Sequence, residues 1–598
     1  MTYVLGIHEM HEASAALMRD GKLVAAASEE RFTGLKADYG YPHHAIAYCL
    51  SEAGISSAQL DAVALASHNL NPVLMKIKRG ANFSVDDWVR EQHSYWKPLL
   101  FEKKRVDYYS LFKDNPEWSY ENTYASDAFL DGYMEPEEMK AMQILRISTV
   151  SGLLGVPSAR VRTVTHEDCH TFYGYFSSNL RCETLALTAE GIGDYSNGSV
   201  SRFSVHQQTN ISHTLENHLG HIYQYITLLL GMKPGQHEYK VMGLAPYSTN
   251  YEASRSYEVF RRLLRVEGID IVYDQAPRDL YFWFRDRFEG HRFDGIVGGL
   301  QRFTEELLAE WVKAASRFTG LSRVCFTGGV AQNIKACKKI AELDGIEDPY
   351  IPPASGDTSV AIGACYAEMW RHLNHTGQTF DSLAPLENIY LGPEFSTEEV
   401  EETLSQNKVR EHYDVTSNTS PSAIAQLLEQ GLVIARCSDR MEFGLRALGN
   451  RSILADPRNP ESVQKINSKI KYRDFWMPFT PTVLAKRQDN YIENPKSLRC
   501  PYMTMAFDTT AQGRREIPAS IHPADFTVRP QILEEAANPE YYAIIGEFEK
   551  LTGVGALLNT SFNLHGNPIV LGPQQAIDTM NRSALDAVII GRYLVTRK

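Results

Sequence analysis

The sequence has no closely spaced cysteine pairs, since its eight cysteines are scattered along 598 residues. Zinc ribbons and disulfide frameworks need such pairs, so we expect free thiols in a reducing compartment. It also has no apolar run long enough to cross a bilayer. Its first residues lack the basic region and long apolar stretch of a signal peptide. These absences predict a cytoplasmic protein with no membrane partner.

An excess of positive charge is also missing, because the formal net charge is -13 at pH 7. General binding to nucleic acid needs a basic surface, so we expect no nucleic-acid partner. The Walker pattern G-x-x-x-x-G-K-[ST] does not occur either, which disfavours a P-loop enzyme. With 43% hydrophobic and 22% charged residues, the composition is typical of a globular protein, and the length implies at least two domains.

Short apolar runs alternate with helical patterns and predict a mixed α/β fold. The predicted strands are residues 3–7, 15–18, 23–27, 62–66, 184–188 and 324–327. Asp20 and Gly21 lie between the second and third runs and predict a hairpin turn. Two later strands end in glycine turns, at 190–193 and 327–330. Paired strand–glycine units suit a fold with two similar halves around a nucleotide.

Residues 383–393 have the composition of a connection between two domains, predicted as 1–387 and 388–598. Ser396, followed by Glu398 and Glu399, predicts a capped helix start in the second domain. An insertion at about 70–145 is rich in aromatic residues: Trp88, Tyr95, Trp96, Tyr108, Tyr109, Trp118, Tyr120 and Tyr124. It is a helical insertion with its own small core, a lid over an acceptor site, or both.

A metal-type pattern lies in the first domain. His166 and His170 are four residues apart, so on a helix they share one face. Glu190 ends a predicted strand, and Asp357 lies in a turn of small residues that opens a helix. Two imidazoles with one or two carboxylates suit Fe²⁺ or another divalent ion. The competing interpretations are a helix cap for Asp357 and a turn carboxylate for Glu190.

A possible nucleotide cradle follows the strand at 324–327. Gly328 and Gly329 let backbone N–H groups approach a phosphate, and Asn333 precedes a predicted helix whose N-terminus favours anions. Lys240, in the stretch 238–246, is a candidate phosphate partner or, alternatively, a surface turn charge.

The second domain carries an anion-type pattern. A glycine-bearing turn within 442–458 and the nearby stretch 471–473 contain five cationic residues: Arg446, Arg451, Arg458, Lys471 and Arg473. Forked guanidinium groups and an ammonium group suit a phosphate. The run 559–563 adds small hydroxyl and amide groups. For Arg451 and Arg458, an ion-pair network with Glu442 and Asp456 is an equal alternative.

Seven motifs together resemble the O-carbamoyltransferases of antibiotic and nodulation-factor biosynthesis. They lie at 6–14, 29–36, 166–170, 240–246, 328–333, 446–458 and 559–563, in the family's order and across nearly the whole chain. The resemblance implies an N-terminal actin/hexokinase-like (ASKHA) ATPase-type domain, similar to the catalytic subunit of the tRNA threonylcarbamoyl-transfer machinery. It also implies a C-terminal YrdC-like α/β domain.

The resemblance also implies the chemistry. Carbamoyl phosphate enters the second domain, and the carbamoyl unit passes by an enclosed route to the first. There ATP, with Mg²⁺, activates it as carbamoyl-adenylate. A hydroxyl group of a small-molecule acceptor, a natural product of antibiotic or other secondary metabolism, then attacks near Fe²⁺ or another divalent metal. The sequence identifies neither the acceptor nor the oligomeric state.

Residue roles follow from the resemblance, position by position. The metal ligands are His166, His170 and Asp357, with Glu190 as the fourth. His11 and Lys36 are active-site groups beside the nucleotide and the acceptor. The carbamoyl phosphate residues are Arg446, Lys471, Arg529 and Ser561. The candidate nucleotide residues remain those of the cradle described above, Lys240, Gly328, Gly329 and Asn333. For Lys36, a helix ion pair with Glu29 or Glu30 is the competing interpretation.

Three positions depart from the family pattern. Leu445 and Met477 stand where many relatives have proline and arginine, and Glu190 stands where relatives often have aspartate. Three rival functions remain: carbamoylation for protein or RNA maturation, a non-catalytic scaffold, and a sugar or acetate kinase of the same superfold. The acidic charge disfavours the first, the largely intact motifs disfavour the second, and the second domain disfavours the third.

Overall fold

The computed structural model describes residues 1–70, 77, 82–115, 124 and 135–598. Their contacts divide the chain into two compact units. Unit 1 comprises Met1–Glu29 and Ala37–Leu386, and unit 2 comprises Glu30–Lys36 and Glu387–Lys598. The division after Leu386 lies next to the predicted boundary. No pattern in the sequence predicts that Glu30–Lys36 packs in unit 2.

Helices connect most of the strands in both units. Within the described residues, the α-helices are α1 (Glu30–Thr33), α2 (His43–Glu52), α3 (Val85–Glu91), α4 (Lys97–Glu102), α5 (Tyr108–Phe112), α6 (Pro136–Leu154), α7 (His166–Ser177), α8 (Leu219–Leu229), α9 (Glu238–Leu244), α10 (Asn250–Phe260), α11 (Leu280–Arg287), α12 (Phe293–Thr319), α13 (Ile334–Glu342), α14 (Val360–Thr376), α15 (Thr397–Gln406), α16 (Val409–His412), α17 (Pro421–Glu429), α18 (Pro460–Ile466), α19 (Gln488–Tyr491), α20 (Ala511–Glu516), α21 (Pro539–Thr552) and α22 (Pro573–Asn581).

The first sheet of unit 1 has the strand order β3-β2-β1-β4-β5. Its strands are β1 (Tyr3–His8), β2 (Ser14–Arg19), β3 (Lys22–Ser28), β4 (Ala62–Ala66) and β5 (Val161–Val164). The first three are antiparallel neighbours, whereas β4 runs parallel to β1 and β5 parallel to β4. Asp20 and Gly21 have φ values of 49° and 83°. Positive φ at both positions is what the predicted two-residue hairpin turn requires.

The second sheet of unit 1 repeats this topology. Residues 184–350 contain β6 (Thr184–Ala189), β7 (Gly198–Phe203), β8 (Gln208–Thr214), β9 (Leu264–Glu267), β10 (Asp270–Tyr273), β11 (Arg323–Thr327) and β12 (Asp348–Tyr350). The sheet order is β12-β11-β6-β7-β8, and β9 and β10 form a separate pair. Again three antiparallel strands precede two parallel ones. This duplication is that of the actin/hexokinase-type fold, as predicted for the N-terminal domain.

Helix α14 lies against both α7 and β1, and glycines make this close packing possible. A Cβ atom on Gly363 of α14 would lie 1.9 Å from the carbonyl oxygen of Cys169 on α7. A Cβ atom on Gly6 of β1 would lie 1.9 Å from the carbonyl oxygen of Ala361. Side chains larger than hydrogen at these positions would force the elements apart. The packing brings the turn before α14 close to α7.

The described part of the aromatic insertion packs into a core that it shares with the rest of unit 1. The buried members of this core are Ile77, Phe83, Trp88, Tyr95, Tyr108, Phe112, Leu228, Tyr281 and Phe282. The last three belong to α8 and α11, so the core is not the insertion's own. Trp118 and Tyr120 lie outside the described residues, and Tyr124 is buried.

Unit 2 is built on an eight-stranded sheet with the order β13-β23-β22-β14-β15-β21-β16-β20. A second sheet has the order β17-β18-β19. The strands are β13 (Tyr413–Ser417), β14 (Ile434–Cys437), β15 (Arg451–Ala455), β16 (Thr480–Leu484), β17 (Ile492–Glu493), β18 (Phe507–Thr509), β19 (Thr527–Val528), β20 (Gln531–Leu533), β21 (Ala556–Ser561), β22 (Ala587–Ile590) and β23 (Tyr593–Arg597). Ser396 caps α15 by accepting from Glu399 N, which confirms the predicted helix start. The α/β character predicted for this domain is also confirmed.

None of the helices in the described residues combines the length and the apolar character that crossing a membrane would require.

Candidate functional site

Helix α7 presents two imidazoles on one face. The helix begins after Thr165, whose hydroxyl accepts from Asp168 N at 3.2 Å. The Asp194 carboxylate accepts from His166 N at 2.7 Å and so fixes the first turn. One turn further on, the Nε2 atoms of His166 and His170 lie 3.2 Å apart. Both side chains therefore direct the same ring atom towards a common point.

Two carboxylates reach that point from other elements. Glu190 follows β6, and its Oε1 lies 2.9 Å from Nε2 of His170. Asp357 opens the 3₁₀ turn before α14, and its Oδ1 lies 3.5 Å from Nε2 of His166. One ligand atom from each of the four residues lies within 4.8 Å of the other three. Ser359, not Asp357, occupies the N-cap of α14, so the helix-cap interpretation of Asp357 is wrong.

The charges in this cluster are strongly coupled. Burial tends to lower the pKa of His166, but the Asp357 carboxylate, together with Glu190 and Asp194, raises it to about 10. Burial tends to raise the pKa of Asp357, yet His166 and His170 hold it well below its usual range. The carboxylates thus attract a cation strongly. Two nitrogen and two carboxylate donors in a largely buried site fit a borderline divalent metal such as Fe²⁺.

Glu190 also joins this cluster to the glycine turn after β11. Its second oxygen, Oε2, accepts from Gly329 N at 2.9 Å. Gly328 has a φ of 100°, and a Cβ atom there would lie 2.2 Å from Oε1 of Glu190. The turn is therefore built around this carboxylate, and only glycine fits at its first position. The sequence did not indicate that one side chain contacts both predicted sites.

The other predicted nucleotide residues lie on separate elements. Asn333 caps α13 through a hydrogen bond from Ala336 N to its Oδ1, at 3.1 Å, and its amide exchanges hydrogen bonds with Gln301. Lys240 is buried on α9, a helix that packs against α12. Glu190 therefore contacts the glycine turn directly. Lys240 lies on a different element, helix α9.

His11 lies in the turn between β1 and β2, beside groups that the sequence did not single out. Its ring packs edge-on against Tyr39, with centroids 5.3 Å apart, and its buried Nε2 has no hydrogen-bond partner among the residues that the structure describes. Its carbonyl oxygen lies 3.0 Å from Nε2 of His8. The His8 ring is 6.4 Å from that of His166, and burial lowers the pKa of His8 to about 4. His8 is part of the 6–14 motif, but nothing in its spacing marked it.

Unit 2 contains a buried cluster of cations. Lys471 donates to the backbone and side-chain oxygens of Ser561, the latter at 3.1 Å, and to Asn563. Burial, with the charges of Arg473 and Lys36, lowers the pKa of Lys471 well below its ordinary value. Burial, with Arg446 and Arg473, likewise lowers the pKa of Arg529. Of the predicted residues, Lys471 and Ser561 are in contact, and Arg446 and Arg529 lie within range of each other's charge. Like charges held this close favour an anion among them.

Two of the five motif cations have a different role. The Arg451 guanidinium donates to the backbone carbonyls of Leu571, Ser438, Asp439, Asn450 and Pro393. The Arg458 guanidinium pairs with Asp456, at 2.7 Å from Nη2 to Oδ2. Arg451 thus stabilises the loops whose carbonyl groups it binds, and Arg458 stabilises the turn that follows β15. The predicted ion pair is correct for Arg458, whereas Arg451 binds carbonyls.

Lys36, predicted beside the nucleotide and acceptor, belongs by its contacts to unit 2. Met477, which stands where relatives have arginine, is buried with 8% of its surface exposed. Nearby in sequence, Arg473 lies over the ring of Phe479, with Cζ 5.2 Å from the centroid.

Comparisons with solved structures give low similarity scores. HypF in its phosphate- and nucleotide-bound form matches 41% of this chain and 52% of its own, with 12% identity and a TM-score of 0.29. Component A of the (R)-2-hydroxyglutaryl-CoA dehydratase of Acidaminococcus fermentans matches 62% of this chain and 100% of its own, with 13% identity and a TM-score of 0.31.

Comparisons with sequences are stronger. An uncharacterised protein of Methanocaldococcus jannaschii is 34% identical over 456 residues, which cover 72% of this chain and 73% of that protein. Nodulation protein NolNO of Sinorhizobium fredii is 28% identical over 613 residues, which cover 98% and 79%. Residues 3–366 match the carbamoyltransferase N-terminus and residues 425–597 the carbamoyltransferase C-terminus. The chain therefore belongs to the carbamoyltransferase family, as the motifs predicted.

Proposed function

We propose that this carbamoyltransferase is an ATP-dependent O-carbamoyltransferase. It moves the carbamoyl group of carbamoyl phosphate, through carbamoyl-adenylate, to a hydroxyl group of a small natural-product molecule. The observation that carries the proposal is the presence of two buried centres in one chain, one made of potential metal ligands and the other of cations. Unit 1 has the four-residue cluster of His166, His170, Glu190 and Asp357, and unit 2 has the cations around Lys471.

In this proposal the cations of unit 2 bind carbamoyl phosphate. Lys471 is held by Ser561 and Asn563, so its ammonium group has a fixed position. Arg446 and Arg529 are close enough for their charges to affect one another. Guanidinium groups match the geometry of phosphate oxygens, and the buried setting strengthens each contact. Exclusion of water also protects a carbamoyl group from hydrolysis.

The cluster in unit 1 fits Fe²⁺ or another divalent metal, held by His166, His170, Glu190 and Asp357. Such an ion, when bound, would lower the pKa of an acceptor hydroxyl group and polarise the carbonyl. The Gly328–Gly329 turn, with Lys240, is proposed to receive ATP, which brings Mg²⁺ with it. His11 is the proposed general base, because its buried Nε2 makes no hydrogen bond within the described part of the chain and can take the hydroxyl proton.

The test is incubation of the purified protein with carbamoyl phosphate, ATP and a panel of alcohols and sugars. We expect AMP, pyrophosphate and inorganic phosphate, the last from carbamoyl phosphate, each to form in proportion to a carbamate ester on the acceptor. ADP together with a phosphorylated acceptor would contradict the proposal, since a kinase gives those products. His11→Asn in the same assay is expected to abolish transfer, while the bound metal and the thermal midpoint stay at wild-type values.

A further inference from the structure

The loop between β6 and β7 carries the candidate ligand Glu190 and is closed by its own hydrogen bonds. Glu190 N donates to the Asn197 carbonyl at 2.9 Å, and Gly193 N donates to Oδ1 of Asn197 at 3.1 Å. A Cβ atom on Gly193 would lie 1.9 Å from the Ser196 carbonyl oxygen, so the loop is tightly folded there. Because the loop is a compact unit, a contact that fixes one of its residues also restrains Glu190.

Two carboxylates join this loop to α7, the helix that carries both histidines of the cluster. From the loop, Oδ2 of Asp194 accepts from His166 N at 2.7 Å. From the helix, the Glu167 carboxylate accepts from the backbone N–H groups of Asp194 and Tyr195, at 3.2 Å each. Each element thus holds the backbone of the other. We call this pair of residues, Asp194 and Glu167, the clamp.

The Asp194 carboxylate also holds a third segment, the turn that follows β4. Its Oδ1 accepts from Ser67 Oγ and Asn69 N at 2.8 Å each, and its Oδ2 accepts from His68 N at 2.7 Å. Ser67 has a φ of 101°, a conformation that a residue with a side chain keeps only where its surroundings fix it. The buried Arg146 donates to the Ser67 carbonyl at 3.0 Å and helps to fix it. The metal helix and the loop are therefore held against a rigid turn.

We propose that Asp194, together with Glu167, is a positioning residue of the four-residue cluster in unit 1. The clamp sets the distance between the imidazoles of α7 and the Glu190 carboxylate, which belong to different elements. Neither clamp residue is one of the four ligands. Groups that orient metal ligands without contacting the ion contribute to its affinity, because they fix the ligands before the ion binds. This inference rests on the proposed function, since it concerns the metal that the proposal assigns to the cluster.

The experiment adds Co²⁺ alone to the full-length protein, after a chelator has removed any bound metal, and follows the visible absorption of the ion. This absorption depends on the geometry of the ligands. Asp194→Asn keeps the shape of the side chain, but its NH₂ group must face two donors, because each carboxylate oxygen accepts two hydrogen bonds. We expect the Co²⁺ affinity to fall by about 10- to 100-fold. The absorption of the saturated protein should change as well.

Glu167→Gln is the second variant, and it is milder because the side chain is half-buried and keeps one of its two acceptor oxygens. The Co²⁺ affinity should fall by about fivefold, the usual effect of losing one hydrogen bond.

Two controls separate positioning from charge and from helix stability. Asp168→Asn removes the same charge from the same turn of α7, where its carboxylate accepts from the Gln208 side chain at 2.8 Å. Thr165→Ala removes the hydroxyl cap of α7 and should lower the thermal midpoint. Both variants should keep the Co²⁺ affinity within about twofold of wild type.

Wild-type Co²⁺ affinity and absorption in Asp194→Asn, or an equal loss of affinity in either control, would overturn the inference. If Asp194→Asn does not fold, Glu167→Gln decides alone, and unchanged Co²⁺ binding in that variant would contradict the clamp. A wild-type protein that binds no Co²⁺ would also overturn the inference. If both clamp variants bind Co²⁺ more weakly but the wild type transfers no carbamoyl group, the inference stands and the proposed function fails.

Discussion

The two candidate sites differ in how the chain assembles them. In unit 1, residues from α7, the end of β6 and the turn before α14 bring nitrogen and carboxylate ligands within 4.8 Å of one another, and their opposite charges stabilise one another. In unit 2, cations are gathered with like charges beside them, and burial lowers the pKa of Lys471 and Arg529. The first arrangement satisfies its own charges in part. In the second arrangement the cations repel one another, and a bound anion reduces this repulsion. A bound anion should therefore stabilise unit 2 more than a bound cation stabilises unit 1.

The largest effect is expected from a substitution that removes a metal ligand from the cluster of unit 1 and leaves unit 2 unchanged. His170→Ala removes one of two imidazoles, so metal affinity should fall by at least about 100-fold. Transfer activity should fall with it, while phosphate binding in unit 2 stays at the wild-type level. Metal analysis of the purified protein and phosphate titration measure both. His375→Ala, an exposed histidine, is the control. A full complement of metal in His170→Ala would contradict the assignment.

Glu190→Asp tests whether the cluster and the glycine turn are joined. The shorter side chain cannot contact both His170 and Gly329 N, which Glu190 reaches at 2.9 Å each. We expect the affinities for the metal and for an ATP analogue to fall together, each by about tenfold. This is the lower end of the loss in metal affinity that follows when a group that orients metal ligands is changed. Calorimetry with each ligand alone separates the two. Loss of only one affinity would show that the sites are independent.

The repulsion in unit 2 should appear as a dependence of stability on pH. Between the lowered pKa of Lys471 in the folded protein and its ordinary 10.5, the unfolded chain binds one more proton. Stability therefore rises with pH across this window. Thermal midpoints from neutral pH upwards should rise more steeply in wild type than in Lys471→Met, and phosphate should flatten the wild-type curve. If the thermal midpoints of the two proteins rose in parallel with pH, Lys471 would not have a lowered pKa in the folded protein.

The smallest effect distinguishes the arginines of unit 2 from one another. Arg458→Gln removes a partly exposed ion pair with Asp456, worth about 0–1 kcal/mol of folding stability. Phosphate affinity should stay within about twofold of wild type. Denaturant unfolding and phosphate titration check both values. A tenfold loss of phosphate binding would place Arg458 in the anion site after all.

The sequence predicted those features correctly that depend on the spacing of residues within one helix or one turn. The i, i+4 histidines of α7 and the Asp20-Gly21 hairpin are decided by backbone geometry within one element, and the structure has both. The same reasoning could not separate Arg446 from Arg451, which are five residues apart in one motif. Their chemistry is identical, and only the backbone carbonyls around Arg451 give it a structural role.

By itself the sequence determined the α/β class, the family, and which residue types could bind a metal or a phosphate, because periodicity and side-chain chemistry are local properties. Tertiary structure decided which of those residues meet. Asp357 reaches the histidines because α14 packs on α7 through Gly363, and Lys36 belongs to unit 2 because its segment packs there. Such contacts depend on how elements that are far apart in the sequence pack together, and a short stretch of sequence does not determine that packing.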